Sequence, residues 1–474
     1  MIGKVGLSMD QQQTQGNRPS NPRRRARSKI QIFKEAYLPF VLVAVAALVI
    51  IGVIIGIVAG NKEPDPTTVP TESTSPTNSQ QDVALLLEEA RQLALLYDYD
   101  GALAVLNSFQ GNLNDYPDLK HTIDEYTIIK HSMVSWSANQ VPNLSFHVLI
   151  ADLDAALADK TYGQNGNNRY NRNFVTIEEF TTILSRLYEN GYVLVDLDDF
   201  YAYEYNDSVG KNVYVEKQLQ LPEGKKPFML TSTHCNYYTY MLDSNHDGMA
   251  DSGGAGFASK LCWDNGFYNE MVTSDGSNVT GAFDLVPLLE NFIQAHPDFS
   301  YKGARAILAL SGYDGIFGYR VTSDTLSSAQ IKAETEAAKE LVQQLKDTGY
   351  VIACYTYDNI DYSVKNAKEI EADILSWQML IAPIVGETDI MVFAQDADIG
   401  TSYQNNEKFD VLYENGYRFF LGSTPFISKE VNELYVRHSR LMVTGSNLYY
   451  HTDWFDQFFV TNNLLDSRRS NIPE

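Results

Sequence analysis

Two short stretches of the chain bring together residue types that could do chemistry. In LDSNHDGMADSGG at 242–254, Asp243, Asn245, Asp247 and Asp251 follow the pattern D-x-N-x-D-G-x-x-D, with Gly248 at the bend. Oxygen donors at alternate positions suit Ca²⁺, and glycine permits the sharp turn. The twelfth position, where an EF-hand carries Glu, is Gly254, so the pattern points to calcium without pointing to an EF-hand. An acidic, solvated loop is the plainer alternative. In STHCNYYTY at 232–240, Thr233 and His234 stand beside Cys235 and the tyrosines Tyr237, Tyr238 and Tyr240. A neutral imidazole suits zinc, whereas a threonine hydroxyl cannot serve as a base near neutral pH. Three cysteines exclude a disulfide framework and a Cys-rich zinc module. Cys235 and Cys354 could be bonded only if their strands are neighbours. No nucleophile elbow or dinucleotide fingerprint occurs, and GYDGIFG at 312–318 lacks the spacing of a phosphate loop.

Strands and helices must alternate to position such residues. Ser145–Ala151 reads as a strand. Thr176 with Glu179 makes a capping box, and Ile177, Phe180, Leu184 and Leu187 give the apolar stripe of a helix ended by Gly191. Val193–Val195, Phe228–Ser232, Ala306–Leu310, Val351–Tyr355, Ile390–Phe393 and Arg418–Leu421 read as strands. Helices are expected near Asp284–Gln294, Ile331–Leu345, Ile370–Ile384 and Lys408–Asn415. Repeated βα units imply an α/β fold with a parallel sheet covered by helices. In a barrel of that kind chemistry sits at the carboxyl ends of strands. Those ends are Thr233–Asn236, Ser311–Tyr313, Tyr355–Asn359, Gln395–Asp398 and Ser423–Thr424.

Residues 142–474 resemble the polysaccharide deacetylases of the NodB-homology type, carbohydrate esterase family 4. The resemblance rests on FHVLIAD at 146–152, FVTIEEFTTILSRLYENGYVLVDLDDF at 174–200, KPFMLTSTHCNYYTYM at 226–241, HPDFSYKGARAILALSGYDGIFGYR at 296–320 and the 349–359 segment. It implies a distorted (β/α) barrel that removes acetyl groups from chitin-like or peptidoglycan sugars with a divalent metal. The family's Asp-Asp pair, base and metal ligand, falls on Thr233 and His234. Its His-x-x-x-His ligands fall on Tyr355 and Asn359, neither a usual zinc ligand. Its Pro-Tyr-Gly turn falls on Phe393–Asp396. His234 alone then remains to hold zinc, and the catalytic water lacks a Lewis acid. The resemblance therefore implies a degenerate site: a deacetylase-like pseudoenzyme that binds cell-envelope polysaccharide, with Tyr237, Tyr238, Tyr313 and Tyr357 as sugar-stacking candidates. For each tyrosine taken alone, packing a loop is the plainer reading. The competing expectations are an active deacetylase with a rebuilt site, using His234 with Asp358 or Asp396, and a protein-interaction scaffold. The 242–254 stretch also resembles the calcium loops of dockerin and thrombospondin type 3 repeats.

The net charge of −24 argues against nucleic acid as a partner. The charge is unevenly spread. Before residue 36, eight basic residues face two acidic ones, a net +6, which leaves −30 for the rest. Residues 38–59 carry no charge, and at about 1.5 Å per residue they would span roughly 33 Å of bilayer. Basic residues on the N-terminal side predict a cytoplasmic N-terminus. The expected order is a basic tail over 1–37, a transmembrane signal anchor over 38–60, a Pro/Ser/Thr linker over 61–81, a helical hairpin-like segment over 82–135 and the deacetylase-like domain over 142–474. The last would lie outside a bacterial plasma membrane. The 82–135 segment, which resembles one tetratricopeptide-type hairpin, is either a cap for the next domain or a surface for a protein partner.

Overall fold

The structure is a computed structural model that describes residues 78–158, 169–242, 256–469 and 471–474. The basic tail, the proposed membrane segment and the calcium pattern at Asp243, Asn245, Asp247 and Asp251 lie outside the described residues. Among the described residues no helix is long and apolar enough to cross a membrane.

Three helices open the described chain: α1 (Asn78–Leu95), α2 (Tyr99–Leu106) and α3 (Pro117–His131). Helix α1 begins inside the stretch expected to be linker. Ala90, Leu93, Ala102, Leu106 and Leu119 form a small core of their own. Asp98 caps α2 through Gly101 N–H, and Pro117 opens α3, where a missing N–H costs nothing. This unit is docked on the next one. Tyr97 donates its hydroxyl to the Asp298 carbonyl at 2.7 Å and stacks on Tyr301, while Lys302 pairs with Asp98 at 3.0 Å.

The centre of the rest is a closed barrel of seven parallel strands, flanked by short antiparallel sheets such as Tyr201–Asn206 with Lys211–Glu216 and the three strands within 260–281. The barrel strands are β1 (Asn143–Phe146), β3 (Lys226–Ser232), β4 (Ile307–Leu310), β5 (Val351–Cys354), β6 (Ile390–Val392), β7 (Phe419–Ser423) and β9 (Val436–Met442), with β2 (Tyr192–Leu194) outside the ring. The order runs β4–β5–β6–β7–β9–β1–β3, and β3 returns to β4 through Ile307↔Thr231 and Leu308↔Ser232. Strand β2 pairs with the first three residues of β3, Lys226 to Phe228, and β4 with the last two, so β3 serves both neighbours in turn. Strand β8 (Lys429–Val431) adds antiparallel to β9. Helices α4 (Ile177–Glu189), α5 (Leu285–Ala295), α6 (Ser328–Thr348), α7 (Ala367–Leu380) and α8 (Glu407–Glu414) cover the outside.

Each strand sorts its residues by parity. Leu144, Phe146, Leu230, Leu308, Leu310, Cys354, Phe420 and Leu441 face the helices in one large core. Met229, Ile307, Ala309, Ala353, Tyr355, Ile390, Val392, Phe419, Leu421 and Val436 form a second cluster within the ring. Tyr97, Val195, Phe200, Tyr201 and Leu219 belong to the same inner cluster, so the α1–α2 junction and the segment after β2 help to close the barrel. The capping box at Thr176 and Glu179 is present, and Glu179 goes further. Its carboxylate takes a buried two-pronged bond from Arg469 at 2.7 and 2.8 Å, pinning the chain's end to α4.

Candidate functional site

The inner face of the barrel turns polar toward the carboxyl ends of its strands. Residues of inward parity there include Ser145 and His147, Thr231 and Thr233, Ser311, Tyr355 and Arg440. Most bond to one another. Thr231 donates to Asn143 Oδ1 at 2.8 Å, and Arg440 donates to Ser145 Oγ at 2.9 Å and to the Phe393 and Leu421 carbonyls at 3.1 and 3.2 Å. Arg440 is fully buried and also lies 3.5 Å from Asp396, whose carboxylate is exposed. A buried guanidinium is stable only when its donors are satisfied, and here they are spread over three strands.

At the centre of the mouth stand two histidines. His147, just beyond the end of β1, places Nδ1 2.7 Å from Thr233 Oγ1 and 2.8 Å from His234 Nδ1. The imidazoles meet edge to face at 4.4 Å between centroids, and His234 meets the Tyr355 ring in the same way at 5.4 Å. His147 is buried, while His234 keeps partial contact with solvent. Burial, helped by the Arg440 charge, pushes His147 down to about 3. Burial and then His147 push His234 well below the usual imidazole range, against a smaller opposing pull from Asp396. Both rings are therefore neutral at ordinary pH. Burial, with Asp396 nearby, raises Tyr355, which stays a phenol.

The backbone around this point is unusual. His234, Tyr237, Asp314, Phe317, Thr356, Asn359, Gln395 and Asp396 all have positive φ between 52° and 61°, although none is glycine. They follow the carboxyl ends of β3, β4, β5 and β6. Residues held in this region cost energy that the surrounding structure must supply, and they gather at functional sites.

The sequence candidates divide by burial. Thr233, His234, Tyr355, Asn359 and Asp396 come together at the mouth, Asn359 through Gln395, which donates to its carbonyl at 3.3 Å. Tyr237 and Tyr238 lie buried, so their faces are covered by protein rather than offered to a sugar. Tyr237 donates to Asp284 at 2.6 Å and Tyr238 contacts Ser311 Oγ at 3.0 Å. Burial of Asp284 lifts its carboxyl to about 6. Tyr313 is 48% exposed and Tyr357 half-buried. The Tyr357 carbonyl accepts Gly312 N–H at 2.8 Å and Tyr313 N–H at 3.0 Å, and a Cβ on Gly312 would lie 2.1 Å from the Tyr357 ring. Rings continue inward from Tyr313 to Tyr238 at 5.7 Å and from Tyr238 to His234 at 5.6 Å.

Cys235, Cys354 and Cys262 are free and buried. Cys235 donates to Ser232 Oγ, a satisfied thiol rather than half of a bridge, and its burial raises it to about 12. Among the described residues no three His, Cys, Asp or Glu side chains converge as a metal-binding group. The donors at the mouth are two neutral imidazoles, the Thr233 hydroxyl and the exposed Asp396 carboxylate, which lies 3.5 Å from the buried Arg440 guanidinium. His147 was not among the sequence candidates. The signal was parity: once Ser145 faces the barrel interior, so must His147.

No protein-family model matches the chain, and no curated protein matches it. Among solved structures, a deacetylase of Streptococcus pyogenes, PplD, in complex with acetate, is similar at 12% identity and a TM-score of 0.30, over 67% of this chain and 95% of that one.

Proposed function

We propose that this protein is a membrane-anchored, extracellular deacetylase-like barrel whose mouth binds cell-envelope glycan without deacetylating it. The observation that carries the reading is the state of the positions that the family resemblance assigns to base and metal. Thr233, His234 and Tyr355 are there, and they are neutral and bonded to protein groups. Thr233 Oγ1 lies 2.7 Å from His147, and His234 Nδ1 lies 2.8 Å from the same atom. A hydrolytic water needs a group that takes its proton, and neither a threonine nor an imidazole held well below its usual range does so efficiently. The exposed Tyr313 and half-buried Tyr357, joined at their backbones, supply aromatic faces for sugar rings.

The test is acetate release from N-acetylated chitin-like and peptidoglycan substrates by the full-length protein, with zinc supplied. The reading predicts no release above a heat-denatured control. Release that disappears in His234→Ala would instead establish an active enzyme with a rebuilt site, using His234 with Asp358 or Asp396 as ligand and base.

A further inference from the structure

The contact between the two histidines constrains where their hydrogens sit. His147 Nδ1 and His234 Nδ1 are 2.8 Å apart. Two bare lone pairs at that distance would repel, and two N–H groups would clash, so one hydrogen lies between them. In a neutral pair the rings must then be opposite tautomers, one Nδ1–H and the other Nε2–H.

Thr233 decides which is which. Its hydroxyl lies 2.7 Å from His147 Nδ1 and 3.5 Å from His234 Nδ1, and also meets Tyr355; donating to the Phe146 carbonyl at 3.3 Å, it turns a lone pair toward His147. His147 Nδ1–H is therefore the donor, shared between Thr233 Oγ1 and His234 Nδ1. His234 accepts on Nδ1 and carries its own hydrogen on Nε2. His147 is buried, whereas residue His234 is only partly buried. The charged and titratable groups around the pair are Arg440 from β9, Asp396 beyond β6, and the phenols of Tyr355 beyond β5 and Tyr238 beyond β3. The buried Arg440 charge disfavours a cation on either ring. The left-handed backbone at His234, φ 61°, holds the ring in this place at some cost.

We propose that His147 and His234 form one two-imidazole unit sharing a single hydrogen, and that this unit presents His234 Nε2–H at the barrel mouth as a neutral donor to an uncharged oxygen of the bound sugar. An acetamido carbonyl or a ring hydroxyl is the matching acceptor. His234 is then a specificity-determining residue, and His147, which touches no ligand, is a positioning residue. The inference rests on the glycan-binding reading of the mouth.

The experiment uses full-length protein labelled with ¹⁵N at histidine, read by long-range ¹H–¹⁵N correlation near neutral pH. Expected are one Nδ1–H pattern that disappears in His147→Asn and one Nε2–H pattern that disappears in His234→Phe. Two rings of the same tautomer, or either ring charged near pH 6.5, would overturn the pairing. The same samples are then titrated with N-acetylated β-1,4-linked glucosamine tetrasaccharide. The His234 Nε2 signal should shift on binding, and His234→Phe should weaken affinity about tenfold, the loss of one hydrogen bond at a desolvated site. Full affinity in His234→Phe with loss in Tyr313→Ala would sink the His234 contact while leaving the glycan reading intact. Wild-type protein that binds no oligosaccharide would overturn both.

Discussion

His147 has a measurable cost. Its imidazole is held neutral down to about pH 3, whereas in the unfolded chain it takes a proton near 6.5. Between those values the unfolded state binds the extra proton, so stability falls as pH drops from about 6.5 toward 3. His147→Asn removes that titration. The advantage of wild type over the variant should therefore shrink steadily on acidification through this window, by on the order of a few kcal/mol in total. Chemical denaturation at a series of pH values measures it, and a difference that does not change with pH would contradict the buried neutral assignment. Glu179 and Arg469 make the second prediction. Both are almost fully buried, so Arg469→Met strands a carboxylate and should cost about 3–5 kcal/mol. The double variant Glu179→Leu with Arg469→Met should recover much of that. At this scale the sequence was partly legible. Thr233, His234 and Asp396 could be placed by resemblance, but Tyr237 and Tyr238 were indistinguishable from exposed tyrosines until Asp284 and Ser311 were seen to hold their hydroxyls.

The loops after β3 and β4 behave as one element. Asn236 donates to the Ser311 carbonyl at 2.8 Å and accepts Ser311 N–H at 3.3 Å, all buried. Arg320 adds a bond to the Tyr237 carbonyl at 2.6 Å. Asn236→Ala leaves the buried Ser311 N–H without its partner and should cost about 2 kcal/mol. It should also loosen Tyr313, visible as faster amide exchange through 311–320 with the rest of the barrel unchanged. Gly312→Ala acts on the other side of the same mouth. The added methyl would lie 2.1 Å from the Tyr357 ring, so that ring must move and sugar binding should weaken, which a titration of the variant measures. The strands that the sequence revealed are those with apolar runs, such as Phe228–Ser232 and Val351–Tyr355. Strand β9 escaped because VRHSRLM places His438 and Arg440 on the inner face, where a core strand would carry aliphatics. The 145–151 stretch was read as one strand, but pairing stops at Phe146, and beyond it only Ile150 makes isolated bridges, to Thr176 and to Phe257. The antiparallel pair Tyr201–Asn206 and Lys211–Glu216 also escaped, since repeated βα units set the expectation of helices between strands.

For the whole molecule, the α1–α3 unit and the barrel are not independent. Tyr97 joins the inner barrel cluster, and Lys302 N–H donates to the Leu96 carbonyl at 2.9 Å. Tyr97→Ala should destabilise the barrel as well as the helices, by about 3 kcal/mol, because a buried aromatic is removed from a shared core. Such coupling favours a cap over a free docking hairpin, a distinction that helical periodicity in 82–135 could not make. The alternation of strands and helices was enough to expect a parallel sheet covered by helices, and the resemblance added the expectation of a barrel. Its closure by β4 on the end of β3, beyond the residues that pair with β2, depends on register, which sequence patterns do not carry. The central claim is that the mouth binds glycan and leaves it intact, and one calorimetric titration tests both halves. N-acetylated β-1,4-linked glucosamine tetrasaccharide is injected into the full-length protein with zinc present. The account predicts heats that saturate at one ligand per chain and return to baseline after each injection. A sustained heat proportional to the sugar added, the signature of turnover, would contradict it, and so would the absence of any binding heat together with no protection of the mouth in amide exchange.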